Sequence, residues 1–195
     1  MGQMVDLIIF GGTGDLSTRK LLPALFQLHR HGLADKLQRI VATGRGDTSS
    51  EAFRDKAHAN LKKFLPADDW DEAIWQRFRD SLHYAQLDAG QPAHYQRLTT
   101  LLEEDPNSVK LYYLATLPSL YGTICQQLQE AGAAWADSRV VLEKPLGHDL
   151  ASCKAINEQV AAVFSEECTF RIDHYLGKET VQNLLAVRFG NPLLH

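Results

Sequence analysis

Cysteine is scarce in this sequence, and the three cysteines that occur form no recognisable pattern. Cys125, Cys153 and Cys168 are odd in number, widely spaced and outside any Cys-x-x-Cys or Cys/His arrangement. This spacing excludes a disulfide framework and predicts reduced packing cysteines in a reducing compartment. No metal site is expected.

An excess of one charge and long apolar runs are also missing. The 195 residues carry a net charge of −4, with 23% charged and 45% hydrophobic residues. Without a basic surplus, neither nucleic acid nor an anionic membrane is expected as a partner. No signal-peptide pattern and no stretch of ~20 apolar residues occurs, so we expect a cytoplasmic protein.

Internal repeats, low-complexity tracts and flexible linkers are absent, and the length predicts one compact domain with at most the start of a second. Apolar or β-rich runs predict strands buried on both faces at residues 5–10, 39–43, 82–87, 109–115, 139–142 and 169–172. Apolar residues at three- and four-residue spacing predict helices over 16–31, 50–65, 70–81, 92–104, 120–131 and 150–164. Gly32 and Gly132 act as stops, and Pro23 should divide the first helical stretch. Strand alternating with helix predicts an α/β fold with a doubly wound, mostly parallel sheet of the Rossmann type.

A glycine-rich loop follows the first predicted strand, with the sequence Gly11-Gly12-Thr13-Gly14-Asp15-Leu16-Ser17. From Gly12 onward it fits Gly-x-Gly-x-x-small, a variant of the dinucleotide fingerprint in which Ser17 takes the third small position. Glycines let backbone amides approach a phosphate. A tight turn without a ligand is the alternative, but it leaves three glycines in four residues without a purpose. The loop therefore predicts a pyrophosphate site.

The end of the second predicted strand indicates which dinucleotide is bound. The strand continues into Gly44-Arg45-Gly46-Asp47, so a guanidinium is the first side chain available to hold a 2′-phosphate. Thr13 can add a hydroxyl to the same phosphate, whereas Asp47 can instead bind a ribose diol. NADP is favoured, and NAD is the weaker alternative.

The segment Glu143-Lys144-Pro145 follows the fifth predicted strand. This strand delivers Lys144 to the carboxyl edge of the sheet, where it can bridge cofactor and substrate. The alternative is a surface lysine beside a structural proline, and Pro145 can be cis or trans. Tyr113 and Asp88 end near the same edge, but each is a weaker candidate that can equally be a packing or capping residue.

Residues 171–179 combine an acid, an imidazole, a phenol and an ammonium at a predicted strand-to-helix junction. In an extended strand Asp173 and His174 point to opposite faces, so each needs its own partner. A helix starting near Gly177 would aim backbone N–H groups at a pocket that His174 and Lys178 can reach, which suits a phosphate. The alternative is a solvated turn.

These three motifs together resemble the glucose-6-phosphate dehydrogenase family over essentially the whole chain. The resemblance implies NADP-dependent oxidation of glucose 6-phosphate to 6-phosphogluconolactone, the first step of the pentose phosphate pathway. It implies substrate-binding roles for Lys144, His174, Tyr175 and Lys178, and for Asp173 the orientation of a catalytic histidine. The implied cofactor site consists of Gly11, Gly12, Thr13, Gly14, Asp15, Leu16, Arg45, Asp88, Tyr113 and Lys144.

The resemblance also implies a piece of a longer enzyme. The family's general base is a histidine well beyond the Asp-His-Tyr motif, in a second β+α domain, and His195 does not match it. We therefore expect an NADP-binding domain over residues 1–175 and the start of a truncated substrate domain over 176–195. The missing part would carry the homo-oligomer contacts, and the 195 residues alone should bind the cofactor without turnover.

Two other interpretations remain open at this point. Sugar oxidoreductases of the glucose–fructose oxidoreductase type also combine a dinucleotide loop with Glu-Lys-Pro, although residues 171–179 speak against them. A non-catalytic dinucleotide-binding module would fit a chain without a base, but it would not need a phosphate cluster on its substrate side.

Overall fold

A computed structural model describes residues 3–173 of the chain. Its strands are β1 (Val5–Phe10), β2 (Leu37–Gly44), β3 (Leu82–Gln86), β4 (Val109–Leu114), β5 (Arg139–Glu143) and β6 (Thr169–Ile172). Its α-helices are α1 (Leu22–Arg30), α2 (Ser50–Phe64), α3 (Glu72–Ser81), α4 (Pro92–Glu103), α5 (Tyr121–Glu130) and α6 (Leu150–Ala161). Short 3₁₀ turns cover Ala67–Asp69, Pro118–Leu120 and Glu166–Cys168.

The six strands form one parallel sheet in the order β3-β2-β1-β4-β5-β6. The chain winds outward from β1 in one direction as far as β3 and then crosses to β4 on the other side of β1. The topological switch point therefore lies between β1 and β4, where ligands bind in this architecture. The predicted doubly wound Rossmann-type fold is confirmed.

Each face of the sheet carries its own apolar core. On one face Leu7 and Ile9 pack with residues of α1, α2 and α3, including the fully buried Phe26 and Phe78. On the other face Ile8 and Phe10 pack with residues of α4, α5 and α6. Successive residues of β1 thus serve opposite cores, which explains why residues 7–10 are all apolar.

The first helical stretch is divided at Pro23, as predicted. Helical residues begin at Asp15, Ser17–Leu21 forms a π-helical turn, and α1 starts at Leu22. The N–H of Leu22 bonds to the carbonyl of Ser17, five residues back. This wider turn accommodates a proline that cannot donate a helical hydrogen bond.

The other helix boundaries follow the capping residues. Gly32 and Gly132 have positive φ angles of 68° and 71° just beyond α1 and α5, as expected for C-terminal stops. Helix α3 begins two residues later than predicted, because Asp71 accepts hydrogen bonds from the N–H groups of Ala73 and Ile74 and so forms the N-cap.

A buried cluster of charges joins three strands at their amino ends. The fully buried Asp6 of β1 receives two hydrogen bonds from Arg39 of β2, at 3.0 and 2.7 Å. It also accepts from Ser108 at 2.6 Å and from Lys110 of β4 at 3.0 Å. Burial would raise the pKa of Asp6, but these hydrogen bonds outweigh burial and hold the pKa below its usual value.

The three cysteines are unpaired thiols in the structure. Burial raises the pKa of the Cys125 thiol to about 12, as fits a packing residue. Within residues 3–173 no helix is long and apolar enough to cross a bilayer.

Candidate functional site

The glycine-rich loop connects β1 to the first helix at the switch point. Gly11 has φ +77°, and a Cβ on it would lie 2.6 Å from the carbonyl oxygen of Ala115. A Cβ on Gly12 would lie 2.6 Å from the Cβ of Ala42. These two glycines are therefore required by the fold itself, because the loop packs against the neighbouring strand ends.

Gly14 differs from the first two glycines. A Cβ there would approach only the carbonyl oxygen of Gly11, at 3.1 Å, and would otherwise meet open space. Gly14 lines a cleft together with Thr13, and the helical residues begin immediately afterwards at Asp15. A helix N-terminus with an unobstructed backbone in front of it is the arrangement that binds a phosphate.

Ser17 has a second role beside its small size. It is fully buried, and its hydroxyl donates to the carbonyl oxygen of Gly11 at 2.9 Å. The N–H of Gly14 donates to the same oxygen at 2.9 Å. Serine at the third small position therefore closes the loop as well as permitting close packing.

The cleft has two ends, one on each side of the loop. One end, of about 570 Å³, is lined by Phe10, Gly11, Thr13, Gly14, Thr43, Gly44, Arg45, Leu87, Asp88, Ala89, Gly90, Thr116, Leu117, Leu120 and Ile124. The other, of about 490 Å³, is lined by Leu16, Ala115, Thr116, Leu117, Pro118, Tyr121, Glu143, Lys144 and Pro145. Thr116 and Leu117 belong to both linings, so the two ends meet after β4. The Oγ1 atom of Thr116 is buried without a hydrogen-bond partner among residues 3–173.

The turn after β2 brings together the residues predicted to face the ribose substituent. Arg45 is exposed at the first end of the cleft, where Thr13 also lies. A Cβ on Gly44 would lie 2.7 Å from Thr13 Oγ1, so glycine at this position lets the threonine approach β2 closely. A neighbouring cavity of about 160 Å³ is lined by both Thr13 and Lys56.

Lys144 stands at the second end of the cleft. Its ammonium group forms an ion pair of 2.8 Å with Asp173, which directly follows β6. The peptide bond between Lys144 and Pro145 is cis, which settles the alternative that the sequence left open. Two residues that the sequence assigned to separate motifs therefore meet at one edge of the sheet.

The segment that carries Lys144 is held by two tyrosines. The hydroxyl of Tyr113 donates to the Glu143 carboxylate, and that of Tyr121 donates to the Glu143 carbonyl oxygen at 3.2 Å. The N–H of Glu143 donates back to the Tyr121 hydroxyl at 3.3 Å. Burial, and then the bond to Glu143, raises the pKa of Tyr113 well above its usual value, so this hydroxyl keeps its proton.

Asp173 is placed by the attachment of β6 to α6. The guanidinium of Arg171 donates to Asn157 Oδ1 at 3.0 and 2.8 Å and to the two Glu166 oxygens at 2.6 and 3.1 Å. Within residues 171–179, Arg171 therefore has a structural role, since it attaches β6 to Asn157 and Glu166.

The predicted site residues fall into three groups. Gly11, Thr13, Gly14, Leu16, Arg45, Asp88 and Lys144 line the two ends of the cleft. Gly12 packs against β2, Asp15 is exposed and pairs with Arg19 at 3.5 Å, and Tyr113 bonds to Glu143 outside these linings. Asp88 also accepts from the N–H of Gly90 at 3.0 Å within the turn before α4, whose N-cap is Gln91. His174, Tyr175, Lys178 and the expected domain over 176–195 lie outside the described residues.

Sequence reasoning missed the residues that support this site from a neighbouring strand and a neighbouring helix. Tyr84 and Gln86 of β3 contact the turn that carries Arg45, and Tyr121 of α5 contacts Glu143. Their partners lie 22 to 41 residues away along the chain. The only sequence signal would have been their position near the carboxyl edge of the sheet.

Comparison with known proteins agrees with the geometry. A sequence profile of the family described as "Glucose-6-phosphate dehydrogenase, NAD binding domain" matches residues 8–183. The glucose-6-phosphate 1-dehydrogenase of Gluconobacter oxydans is 44% identical over 192 residues, which cover 97% of this chain and 39% of that protein. That of Zymomonas mobilis is 46% identical over 187 residues, covering 96% and 38%.

Solved structures give the same result. A glucose-6-phosphate dehydrogenase in complex with its substrate glucose-6-phosphate matches all of this chain and 42% of its own, with a TM-score of 0.85 and 37% identity. An NAD-binding oxidoreductase from Klebsiella pneumoniae, with a TM-score of 0.52 and 12% identity, supports the fold alone. The chain spans about two fifths of the length of the curated relatives it matches.

Proposed function

The chain belongs to the glucose-6-phosphate dehydrogenase family, matching the NAD-binding domain of that family, and on this premise we propose that it serves NADP-dependent oxidation of glucose 6-phosphate to 6-phosphogluconolactone. The observation that carries the proposal is the two-ended cleft at the switch point, with the Lys144–Asp173 pair at one end and Arg45 at the other. The profile match favours this family over the glucose–fructose oxidoreductase type.

The residues of the cleft fit a nicotinamide dinucleotide. Gly14 leaves open space in front of a helix N-terminus for the pyrophosphate. The buried Thr116 hydroxyl, which has no partner in the described part of the chain, lies where the two ends meet. The bound dinucleotide would accept the hydride from the sugar, and the residues of this chain hold both reactants in position.

The preference for NADP over NAD rests on Arg45. Its guanidinium makes no hydrogen bond or ion pair with any residue of 3–173, and Thr13 supplies a hydroxyl nearby. Lys56 adds a second cation to a cavity that Thr13 also lines. Two cations around a hydroxyl suit a phosphate dianion, whereas the diol of NAD gains nothing from either charge. Asp47, the candidate for binding the ribose diol of NAD, lies two residues after Arg45.

The cofactor proposal is tested by titration calorimetry of the 195-residue chain with NADP and with NAD. Arg45→Ala should weaken NADP by about 1.5–3 kcal/mol, because a charge-assisted pair is lost, and should leave NAD nearly unchanged. Arg97→Ala, on the distant helix α4, is the matched control. Equal losses for both dinucleotides in the Arg45 variant would contradict the assignment.

Lys144 and Asp173 are proposed to act on the substrate side. The ammonium group, half-exposed at the cleft, can donate to the sugar phosphate or to its hydroxyls, while Asp173 holds it in place. His174, Tyr175 and Lys178 are proposed to bind the phosphate group, as the family motif implies. A homo-oligomeric assembly, a cytoplasmic location and a domain boundary near residue 175 stay predictions from the sequence.

The substrate proposal is tested with the whole protein in which this domain occurs, by following NADP reduction with glucose 6-phosphate. Free glucose, which lacks the phosphate, and fructose 6-phosphate, which lacks a hemiacetal at C1, serve as comparison substrates. NADP should be reduced with glucose 6-phosphate and with neither of the other two sugars. Cofactor binding without any turnover by the whole protein would favour the non-catalytic dinucleotide module.

A further inference from the structure

Side chains of the adjacent strand β3 form hydrogen bonds with the backbone of the turn that carries Arg45. We propose that Tyr84, assisted by Gln86, is a positioning residue that sets selectivity for the 2′-phosphate by fixing the backbone of Arg45. The inference rests on the proposed NADP preference and concerns a residue outside the cleft lining.

Three successive carbonyl groups of this turn accept hydrogen bonds from β3 side chains. The Tyr84 hydroxyl lies 2.9 Å from the carbonyl oxygen of Gly44 and 2.6 Å from that of Gly46, and its single proton is shared between these two acceptors. The side-chain amide of Gln86 donates to the carbonyl oxygen of Arg45 at 3.2 Å. The peptide groups on both sides of Arg45 are therefore tied to β3.

Tyr84 is itself rigidly placed. In the parallel register it lies beside Ala42, two residues before Gly44, and its ring packs on Phe53 with a centroid distance of 5.8 Å. Burial, and then the nearby Asp47, raises the pKa of Tyr84. The hydroxyl therefore stays protonated and remains a donor throughout the neutral range.

Gly44 is the point at which the two hydroxyl side chains converge. A Cβ on Gly44 would lie 2.7 Å from Thr13 Oγ1 and 3.2 Å from the Tyr84 hydroxyl. Thr13 approaches from the cleft side, and Tyr84 approaches from the core side. The same glycine thus places the cleft hydroxyl and the supporting hydroxyl against one turn.

The position of Arg45 depends on these backbone hydrogen bonds, because its side chain has no hydrogen-bond partner among the described residues. Within the described residues its guanidinium contacts no acceptor, so the position of the charge is set by the backbone of the turn. A flexible turn would have to become ordered each time a 2′-phosphate binds, and the conformational entropy lost on ordering would reduce the affinity for NADP. NAD presents no 2′-phosphate to this turn and would lose little.

The test is Tyr84→Phe, which removes the hydroxyl and keeps the ring on Phe53. Tyr112→Phe is the matched control, because it deletes a buried hydroxyl that donates to the carbonyl oxygen of Ala133 at 2.5 Å on the other face of the sheet. Dissociation constants for NADP and NAD are measured by calorimetry, and folding is checked by thermal unfolding. Tyr84→Phe should weaken NADP about three- to tenfold, as expected for one hydrogen-bonding group, and leave NAD within about twofold.

A double-mutant cycle separates positioning from a general structural effect. In an Arg45→Ala background, Tyr84→Phe should have no further effect on the ratio of NADP to NAD affinity. Gln86→Leu should shift the same ratio in the same direction by less, and it provides the test if Tyr84→Phe does not fold.

The outcomes that overturn the inference are distinct from failure of the proposed function. Loss of selectivity in Arg45→Ala but wild-type selectivity in folded Tyr84→Phe and Gln86→Leu would overturn the positioning role alone. Equal weakening of both dinucleotides by Tyr84→Phe would do the same. Unchanged selectivity in Arg45→Ala would overturn the NADP assignment and, with it, this inference.

Discussion

At Gly14 the fold itself would tolerate a side chain, but a bound pyrophosphate would not. Its Cβ position is open except for the carbonyl oxygen of Gly11 at 3.1 Å. Gly14→Val should therefore fold but bind neither NADP nor NAD, because the branched side chain fills the space that the pyrophosphate needs. Calorimetry of both dinucleotides is the measurement.

A neighbouring glycine supplies the contrast for this prediction. Gly12→Val should destabilise the fold itself, since its Cβ would lie 2.6 Å from the Cβ of Ala42. Unaltered dinucleotide affinity in a folded Gly14→Val protein would remove the loop from the binding site.

Lys144 and Asp173 form the residue pair whose loss should affect chemistry more than cofactor binding. Under the proposed function, Asp173→Asn should lower kcat by about a hundredfold, because the carboxylate charge that holds Lys144 in position is lost. The dissociation constant for NADP should change little, which steady-state kinetics and calorimetry together would check. A rise in KM with unchanged kcat would show instead that Asp173 serves only substrate capture.

At the scale of whole elements, apolar periodicity predicted most of the structure. All six strands lie where continuous apolar runs placed them, and their ends shift by at most two residues. These runs are informative because the strands of a parallel sheet are covered on both faces and so carry mostly apolar side chains. Helix ends were less predictable, since caps such as Asp71 act through single hydrogen bonds.

The contacts between elements could not be predicted in the same way. The bonds of Tyr84 to Gly44 and Gly46, and of Arg39 to Asp6, join residues that lie 33 to 40 positions apart along the chain. The spacing of residues in one sequence does not indicate which distant residues will form such contacts. The cleft residues were therefore found from motifs, whereas the residues that support them were not.

The attachment of β6 to α6 gives an element-scale prediction. Arg171→Met should lower the free energy of unfolding by about 1.5–3 kcal/mol, because Asn157 loses its charged donor. Glu166→Gln should have little effect, since that carboxylate is exposed. Urea denaturation followed by circular dichroism measures both. Equal stability of Arg171→Met and the wild type would show that the strand is held by its ladder alone.

At the scale of the whole molecule, the buried cluster around Asp6 ties β1, β2 and β4 together beneath the switch point. Asp6→Asn should cost about 3–5 kcal/mol at neutral pH, because Arg39 and Lys110 would remain buried without their counter-charge. The exposed Asp35→Asn, away from this cluster, is the control and should be near neutral.

The pH dependence of this loss has a definite sign. A carboxyl whose pKa is lower in the folded chain stabilises the fold above its unfolded pKa of about 3.9 and loses that contribution as the pH falls through the folded value. The difference between wild type and Asp6→Asn should therefore be constant above about pH 5 and shrink in more acidic solution. Urea titrations across this range would show it, and a difference that grows on acidification would contradict the assigned direction.

The strand order also bears on how such a protein can diverge. The turn after β2 and its supports on β3 lie on one side of β1, whereas Lys144 and Asp173 follow β5 and β6 on the other. Mutations in residues 44–48 and 84–86 can accordingly accumulate without disturbing the opposite half of the sheet. If the proposed function holds, exchanging these two short segments with those of an NAD-using homologue should change the preferred dinucleotide and leave the substrate preference unchanged.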